Sequence, residues 1–481
     1  MDFIEAKNYL GQSVQFGIIL GLDRIKRLME LLGNPGNKIK YIHVAGTNGK
    51  GSVTTMTANC LAAEGFRVGV YTSPFIERFS ERIRVLDGKN GLNRFAGDET
   101  YGEITDDEFA FYMTRIKDCV DRMLNEGDEQ PTEFELITAM AFIHFEKTMC
   151  DYAVLETGLG GRLDSTNIIK KPLKCIITAI GYDHMDRLGN TIEEITYEKA
   201  GIIKPEADVI LYNPRDYTSP KESEAILSVI KKQCELKNAK KLIITGKDKI
   251  HMKSFSINGQ LFDYIYYCDY DPDDPMKSEE RKIEIFTSLL GVYQPINCAV
   301  AIEACRDLVS PESIKTGIKL TRWPVRMEIV RKQAPLSFID GGHNMQGATA
   351  LRDNIEKLLP GRKIVFLCGV MKDKEYKKMF EILFSSDKYK IQSIFCTCPD
   401  NPRALPASEL ADTVSEILDN LPKSSYNNMA EVIFDDHVSS AAMRALHEAA
   451  IQEAVFIAFG SLFMAGEIRR LIRRNRDRDK L

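Results

Sequence analysis

Residues 43–52, which read HVAGTNGKGS, constrain the fold of this chain more than any other segment. They follow an apolar, β-prone stretch at residues 41–45 and open a helix-like stretch at residues 52–63. A strand, a glycine-rich turn and a helix in this order bind phosphate, because glycine lets N–H groups converge on an anion and the helix start adds a favourable dipole. Lys50 supplies a mobile positive charge for a β- or γ-phosphate. The run therefore predicts an α/β domain with a phosphate-binding loop.

This loop departs from the strict G-x-x-x-x-G-K-[ST] pattern. Gly51 follows the lysine, and Ser52 comes one position later. A purely structural glycine turn would need neither the lysine nor the hydroxyl, so their coincidence with the strand–helix context favours phosphate binding.

The bulk properties narrow the class of protein. At 481 residues, two or three domains of about 150 residues are expected. A net charge of −5 argues against a nucleic-acid partner, and the arginine-rich residues 469–480 are interpreted as a solvated helix end. Eleven scattered cysteines are typical of a reducing compartment. Without a signal pattern or an apolar run of about 20 residues, we expect a cytoplasmic protein that does not enter membranes.

Apolar strands alternate with helical stretches over the first half of the chain. Residues 67–72, 152–157 and 174–180 are predicted strands, which together imply a mainly parallel sheet with helices on both faces. The polar residues 87–107 between them are interpreted as an insertion or a mobile loop. Residues 22–32 have apolar side chains at helical spacing and predict a helix that ends at Gly33.

The pattern changes near residue 208 and again near residue 320. Residues 254–267 alternate around Asn258-Gly259 and predict a hairpin, whereas the acidic residues 268–275 predict a surface turn. Four further strand candidates, PLSFIDGG, KIVFLCGV, IQSIFCTC and AVFIAFGS, predict a second α/β sheet. We therefore predict a phosphate-binding domain at residues 1–320 and a smaller α/β domain at residues 321–481.

Three polar residues stand where predicted strands of the first domain end. Glu156 can hold Mg²⁺ beside a phosphate, or it can merely cap its strand. His184 and Ser73 occupy similar positions, and each is equally compatible with a plain structural role. Substrate sites in open α/β sheets lie beyond the carboxyl ends of the strands, which favours a site at this edge.

Three more residues have chemistry that the pattern alone does not decide. Lys199 lies in a predicted helix, where the pattern favours a surface lysine. Asp340 follows a strand of the second domain and can bind a ribose hydroxyl or a reacting group. Arg326, at the inferred linker, can reach a phosphate or pair with an acid.

Nine runs stand in one order along nearly the whole chain: HVAGTNGKGS, YTSPF with SERIRV, TEFELITAMAF, LETGLGGRLDSTN, GYDHMDRLGNTIEEITYEKAGIIKP, YQPINCAVAIEAC, WPVRMEIV, FIDGGHNMQGATAL and FGSLFMAGEIR. Together they resemble the folylpolyglutamate synthase and bifunctional dihydrofolate synthase/folylpolyglutamate synthase family of Mur-type ligases. The resemblance implies a Mur-ligase-like fold, with a P-loop domain and a C-terminal α/β domain.

The resemblance also implies roles for individual residues. The ATP-binding set is Thr47, Asn48, Gly49, Lys50, Gly51, Ser52, Asn297, Arg326 and Asp340. The ligands of two magnesium ions are Ser73, Glu156 and His184. The folate-side residues are Thr132, Glu133, Phe134, Glu135, Leu163, Asp164 and Ser165. Lys50, His184 and Lys199 are the implied catalytic residues, and Lys199 matches a lysine that becomes carbamylated.

The activity implied by the resemblance is an ATP-dependent amide ligation. L-glutamate is joined to the γ-carboxylate of a reduced folate through an acyl phosphate. Use of dihydropteroate stays open, because Ile19 stands where some bifunctional members have an acid. The alternatives are a Mur-type ligase acting on another carboxylate and a P-loop ATPase that does not ligate. We expect a monomer.

Overall fold

The computed structural model describes residues 1–13, 17, 19–268, 279–422 and 426–478. Nearly all of the predicted surface turn at residues 268–275 lies outside these ranges. The chain divides into two units. The first comprises Met1–Lys253, Leu261–Ser288 and Pro295–Arg322. The second comprises Ser254–Gln260, Leu289–Gln294 and Trp323–Leu481.

A seven-stranded sheet of described residues organises the first unit, in the order β3-β2-β4-β1-β5-β6-β7. Its strands are β1 (Lys40–Ala45), β2 (Arg67–Tyr71), β3 (Ile83–Asp87), β4 (Tyr152–Glu156), β5 (Lys174–Ile177), β6 (Asp208–Tyr212) and β7 (Lys241–Thr245). Neighbouring strands are parallel except for β3, which pairs antiparallel with β2. The predicted α/β class is thus confirmed.

Helices connect and flank these strands. They are α1 (Phe3–Gln12), α2 (Asp23–Leu31), α3 (Lys50–Glu64), α4 (Gly88–Gly97), α5 (Asp106–Asn125), α6 (Glu133–Lys147), α7 (Met185–Leu188), α8 (Ile192–Ala200), α9 (Pro220–Leu236), α10 (Gln294–Cys305) and α11 (Pro311–Lys319). Helix α3 is buried from Gly51 to Ala63. A helix buried on every face has no charged surface to expose, and residues 51–63 contain no charged side chain.

One expectation for this unit was wrong. Residues 87–107 are not a mobile loop, because they contain α4 and the start of α5. Leu92 and Phe95 of α4 are buried, which gives this polar stretch an apolar face that packs and orders it. The predicted helix at residues 22–32 is confirmed as α2, with Gly33 at a positive φ of 84° just beyond it.

The predicted hairpin is also confirmed. Strands β8 (Ile250–Ser256) and β9 (Gly259–Cys268) are neighbours joined by a two-residue turn at residues 257–258. Strand β10 (Glu279–Thr287) completes this three-stranded sheet.

The second unit contains a six-stranded sheet in the order β11-β12-β16-β13-β14-β15. Its strands are β11 (Glu328–Arg331), β12 (Ser337–Ile339), β13 (Lys363–Cys368), β14 (Lys390–Thr397), β15 (Glu431–Asp435) and β16 (Val455–Phe459). The helices are α12 (Met345–Leu358), α13 (Tyr376–Phe384), α14 (Ala407–Asp419), α15 (Val438–Ile451) and α16 (Leu462–Arg478). All four predicted strands are present. The sheet also contains β11 and β15, which are partly exposed and so lack a continuous buried run.

In the described part of the chain, no helix is long and apolar enough to span a membrane. Ten of the eleven cysteines have a described side chain, and these ten are free thiols.

Candidate active site

Four neighbouring parallel strands of the first sheet, β2, β4, β1 and β5, end at the same edge. Ser73 follows β2, Glu156 ends β4, the glycine-rich loop follows β1, and His184 follows β5. The backbone N–H of Ser73 donates to Glu156 Oε2 over 3.2 Å. The sheet therefore gathers the sequence-predicted loop and metal candidates at one edge, where open α/β sheets bind their ligands.

The glycines of the loop are required by its geometry. Gly46 has φ of 151°, and a Cβ there would lie 1.9 Å from Thr178 Oγ1. Gly49 precedes α3 at φ of 92°, and a Cβ there would lie 2.7 Å from Asn297 Oδ1. Only glycine fits both positions, since each combines an unfavourable φ with a close contact. Asn297, a predicted nucleotide contact, thus lies against the loop.

The loop amides differ in their partners. The N–H groups of Thr47 and Asn48 both donate to Ala179 O, over 2.7 and 3.2 Å. The Thr47 hydroxyl donates to Gly181 O over 3.0 Å and accepts from Gly181 N–H at the same distance. Thr47 and Asn48 therefore fasten the loop to the segment that leads to His184.

The amides best placed for an anion belong to the first turn of α3. This turn contains Lys50, Gly51 and Ser52, and the first N–H groups of a helix have no carbonyl partner within it. Their dipoles and the Lys50 ammonium favour negative charge at the same place. The geometry is that of a phosphate-binding helix start.

Two lysines converge on one carbonyl of the loop. Lys199 Nζ donates to Gly46 O over 2.9 Å, and Lys50 Nζ donates to the same atom over 3.2 Å. The surface position that the sequence pattern favoured for Lys199 is wrong, because its side chain is buried in the face of α8 that packs on the sheet. Burial, with the charge of Lys50, lowers the pKa of Lys199 to about 7, although Asp183 opposes the shift.

Two of the three predicted metal ligands, Ser73 and Glu156, offer oxygen atoms at the sheet edge. Glu156 is only 4% exposed, and its carboxylate lies at the backbone of Ser73. His184 has φ of 51° and a half-exposed side chain. The described residues contain no group of three or more His, Cys, Asp or Glu placed to hold a metal. A carboxylate and a hydroxyl still fit magnesium, which keeps waters and shares phosphate oxygens.

The first folate-side segment divides into structural and accessible residues. Thr132 and Glu135 form a reciprocal capping box at the start of α6. Glu135, 1% exposed, also accepts from Arg24 Nε over 3.1 Å. Phe134 is half-buried and packs on the loop after β4, since a Cβ on Gly158 would lie 2.5 Å from its Cζ. Glu133 is also half-buried, and its carboxylate is not part of the cap.

The second folate-side segment is organised by Asp164. One carboxylate oxygen accepts from the N–H groups of Gly158 and Leu159, over 2.8 and 2.9 Å. The other accepts from the N–H and hydroxyl of Thr166, over 3.0 and 2.5 Å. These four donors hold the loop around the buried Asp164. Ser165 is buried beside it and Leu163 is half-buried.

This loop also docks on the helix that carries Lys199. Arg162 N–H donates to Glu198 O over 2.7 Å, and its guanidinium binds the Glu198 carboxylate. A Cβ on Gly161 would lie 2.8 Å from Lys199 O. The loop after β4 therefore joins Phe134 on one side to α8 on the other.

In the second unit, Arg326 and Asp340 lie close together. Asp340 accepts from the N–H groups of Met327 and Gly342, over 2.8 and 2.7 Å. Burial raises the pKa of Asp340, and the nearby charge of Arg326 opposes the rise. Two predicted nucleotide contacts thus share one polar cluster.

Sequence reasoning gave no role to several residues that shape this edge. His43, within the first motif, is fully buried and hydrogen-bonded to Thr166. Arg24 holds Glu135, and Ala179 holds the loop. A histidine inside an apolar strand indicates a buried hydrogen bond. The sequence could not show that its partner, Thr166, lies 123 residues away.

Family models match both units. The Mur ligase middle domain matches residues 100–305, and the Mur ligase glutamate ligase domain matches residues 325–462. The fold is therefore that of a Mur-type ligase.

Individual relatives narrow the class. Dihydrofolate synthase/folylpolyglutamate synthase of Bacillus subtilis is 36% identical over 86% of this chain and 89% of its own. Mycobacterium tuberculosis folylpolyglutamate synthase, complexed with ADP and AMPPCP, superposes with a TM-score of 0.78 at 26% identity, covering 98% of this chain and 99% of its own. Escherichia coli FolC, in complex with DHPP and ADP, has a TM-score of 0.74 at 25% identity, covering 98% of each chain. The chain belongs to the folylpolyglutamate synthase/dihydrofolate synthase family, which confirms the resemblance of its motifs.

Proposed function

We propose that the chain is an ATP-dependent amide ligase that joins L-glutamate to a folate. One structural observation supports this proposal independently of family membership. The phosphate loop and the buried Lys199 meet at Gly46 O, and the folate-side loop packs on the helix of Lys199. An ATPase that only hydrolyses its nucleotide would need neither the buried lysine nor the folate-side loop.

The substrates follow from the relatives and from the loop. ADP and AMPPCP in the M. tuberculosis structure support ATP as the nucleotide. The acceptor is a reduced folate, extended at its γ-carboxylate. A second activity, joining glutamate to dihydropteroate, is favoured by the bifunctional B. subtilis relative and by the DHPP complex of the E. coli protein.

The chemistry needs an activated carboxylate, because a free carboxylate is a poor electrophile. A folate carboxylate oxygen attacks the γ-phosphorus of ATP, the bond to the bridging oxygen breaks, and ADP leaves. Lys50 and the first-turn amides of α3 stabilise the charge on the transferred group. The amine of glutamate then attacks the acyl phosphate, and inorganic phosphate leaves. The protein positions two substrates that react directly, so no protein nucleophile is required.

Magnesium would neutralise phosphate charge at the sheet edge. Ser73 and Glu156 would hold one ion, and His184 would contribute to a second. Lys199 is proposed to carry a carbamate. With a pKa near 7, a large fraction of its side chain is free amine at neutral pH, and CO₂ converts this amine into a carboxylate-like anion.

The nucleotide-binding domain is proposed to span residues 1–320 and the second domain residues 321–481. Thr47, Asn48, Asn297, Arg326 and Asp340 are proposed to contact ATP. The protein is proposed to be a cytoplasmic monomer. Of the folate-side residues predicted from the motifs, Glu133, Phe134, Leu163 and Ser165 are proposed to contact folate. Thr132, Glu135 and Asp164 are proposed to hold these two segments in place.

Phosphate release tests the function directly. A ligase should release phosphate from ATP only when both folate and glutamate are present, and mass spectrometry should show products one glutamate heavier. Parallel reactions with tetrahydrofolate and dihydropteroate distinguish the two activities. Undiminished phosphate release from ATP alone would overturn the ligase proposal.

A further inference from the structure

A buried chain of hydrogen bonds links the strand of the phosphate loop to the folate-side loop. His43 lies in β1, and its Nε2 is 2.8 Å from Thr166 Oγ1. Thr166 Oγ1 is 2.5 Å from Asp164 Oδ1. Asp164 Oδ2 binds the amides of Gly158 and Leu159. This series of hydrogen bonds thus runs from β1, the strand before Lys50, to the backbone that follows Glu156.

The direction of each bond follows from the donors and acceptors. Three backbone N–H groups, those of Gly158, Leu159 and Thr166, donate to Asp164 and occupy both of its oxygens. Burial raises the pKa of Asp164, and these hydrogen bonds oppose the rise. As a carboxylate, Asp164 can only accept. The Thr166 hydroxyl must therefore donate to Asp164, and its oxygen accepts from His43. His43 is then the neutral tautomer with its proton on Nε2. Burial lowers the pKa of His43 to about 3, which agrees with a neutral ring.

A histidine at this position destabilises the fold relative to an apolar side chain. The other residues of β1 beyond Lys40 are Tyr41, Ile42, Val44 and Ala45, all buried. His43 Nδ1 is buried without a partner among the described residues, and an unpaired polar atom costs free energy that an apolar side chain would not. Packing alone therefore does not account for the ring, whereas donation to Thr166 does.

We propose that His43 is a positioning residue, which acts through Thr166 and Asp164 to set the folate-side loop. The amides of Gly158 and Leu159 are fixed by Asp164, and Gly158 supports the ring of Phe134. Loss of the His43 donor removes one of the two hydrogen bonds that hold the Thr166 hydroxyl, so Asp164 and the loop are held less firmly. The kinetic consequence rests on the proposed function, because it is measured on folate.

Matched variants distinguish the loss of the hydrogen-bond donor from a change in side-chain volume. In His43→Gln, an amide N–H reaches nearly as far as Nε2, whereas in His43→Asn it ends near the place of Nδ1. Thr166→Ser keeps the hydroxyl, and Thr166→Val removes it at nearly the same size. We expect His43→Asn and Thr166→Val to raise the KM for folate by about tenfold, the effect of about one buried hydrogen bond. His43→Gln and Thr166→Ser should stay within about threefold, and the KM for ATP should change little in all four.

A role in core packing alone would give a different result. It would lower the fraction of folded enzyme without changing the KM for folate more than the KM for ATP. It would also give the same result for Gln and Asn at position 43. Equal folate KM values in the two His43 variants, after correction for folded enzyme, would overturn the proposal. So would a parallel rise in both KM values.

A spectroscopic measurement keeps this test separate from the proposed function. ¹⁵N shifts of the His43 ring in the whole protein report its tautomer whether or not ligation occurs. We expect the Nε2–H form, uncharged down to about pH 5, with a shift of Nε2 in Thr166→Val. An Nδ1–H tautomer or an imidazolium would overturn the proposal. Wild-type enzyme without folate ligation but with the Nε2–H tautomer would contradict only the function.

Discussion

Lys50 and Lys199 donate to the same carbonyl oxygen, that of Gly46, although they belong to different helices. Two ammonium groups at one acceptor repel each other, and the pKa of Lys199 falls because its side chain is buried. Burial, together with the charge of Lys50, leaves Lys199 with a pKa of about 7. Desolvation and a neighbouring like charge both disfavour the charged form of a lysine.

Lys50→Ala should abolish ligation and leave the fold intact. The substitution removes the mobile cation at the phosphate-binding helix start, and losing one such group costs about a hundredfold to a thousandfold in kcat. Lys38→Ala, at an exposed position just before β1, is the matched control. Steady-state kinetics with circular dichroism checks both variants. A kcat near that of the wild type would contradict the phosphate role of Lys50.

Lys199→Met should stabilise the folded protein most near and below neutral pH. With its pKa near 7 in the fold against an ordinary 10.5, Lys199 binds fewer protons folded than unfolded between these values. Its cost to stability is therefore full below about pH 7 and disappears as the pH rises towards about 10.5. The free-energy difference between variant and wild type should reach at most about 5 kcal/mol and shrink with rising pH. Urea unfolding across this range, on protein stripped of CO₂ so that Lys199 is unmodified, measures this difference. A difference independent of pH would contradict the lowered pKa.

The same variant tests the carbamate. Lys199→Met should lose turnover at every pH, since methionine cannot add CO₂. Wild-type enzyme stripped of CO₂ should regain activity on adding bicarbonate, more readily above about pH 7 where the free amine predominates. A small carboxylate added to Lys199→Ala should restore part of the activity. Full turnover in either variant would rule out the carbamate.

Local patterns in the sequence predicted most of the edge where the site lies. The strand–loop–helix around Lys50 and the strand ends at Ser73, Glu156 and His184 need only short-range periodicity and parallel topology. The burial of Lys199 could not be predicted in this way, because it depends on how α8 packs on the sheet. The partner of His43 was hidden for the same reason, since chain separation conceals contacts across the fold.

One signal was present in the sequence but was assigned to another role. Thr132 and Glu135 have the T-x-x-E spacing of a capping box, and the structure confirms the box at the start of α6. The family motifs instead predicted that the same residues lie at the folate site. Both roles concern one segment, but the hydrogen bonds of Glu135 are all internal, to the cap and to Arg24.

Glu156→Gln should raise the magnesium requirement without unfolding the protein. Glutamine keeps an oxygen that can accept from Ser73 N–H, but it loses the negative charge that binds the ion. We expect the magnesium concentration for half-maximal activity to rise by about tenfold or more. Glu193→Gln, on the exposed face of α8, is the matched control. An unchanged magnesium dependence would remove Glu156 from the proposed metal site.

Thr132→Ala and Phe134→Leu should separate structure from substrate binding within one segment. Thr132→Ala removes a helix cap, so the free energy of unfolding should fall by about 1 kcal/mol with little change in folate KM. Phe134→Leu keeps an apolar side chain over Gly158 but removes the flat ring, so folate KM should rise by about tenfold while ATP KM stays constant. Chemical denaturation and kinetics on both variants decide the matter. If the threonine variant instead raises folate KM at unchanged stability, Thr132 binds the substrate directly and its cap is secondary.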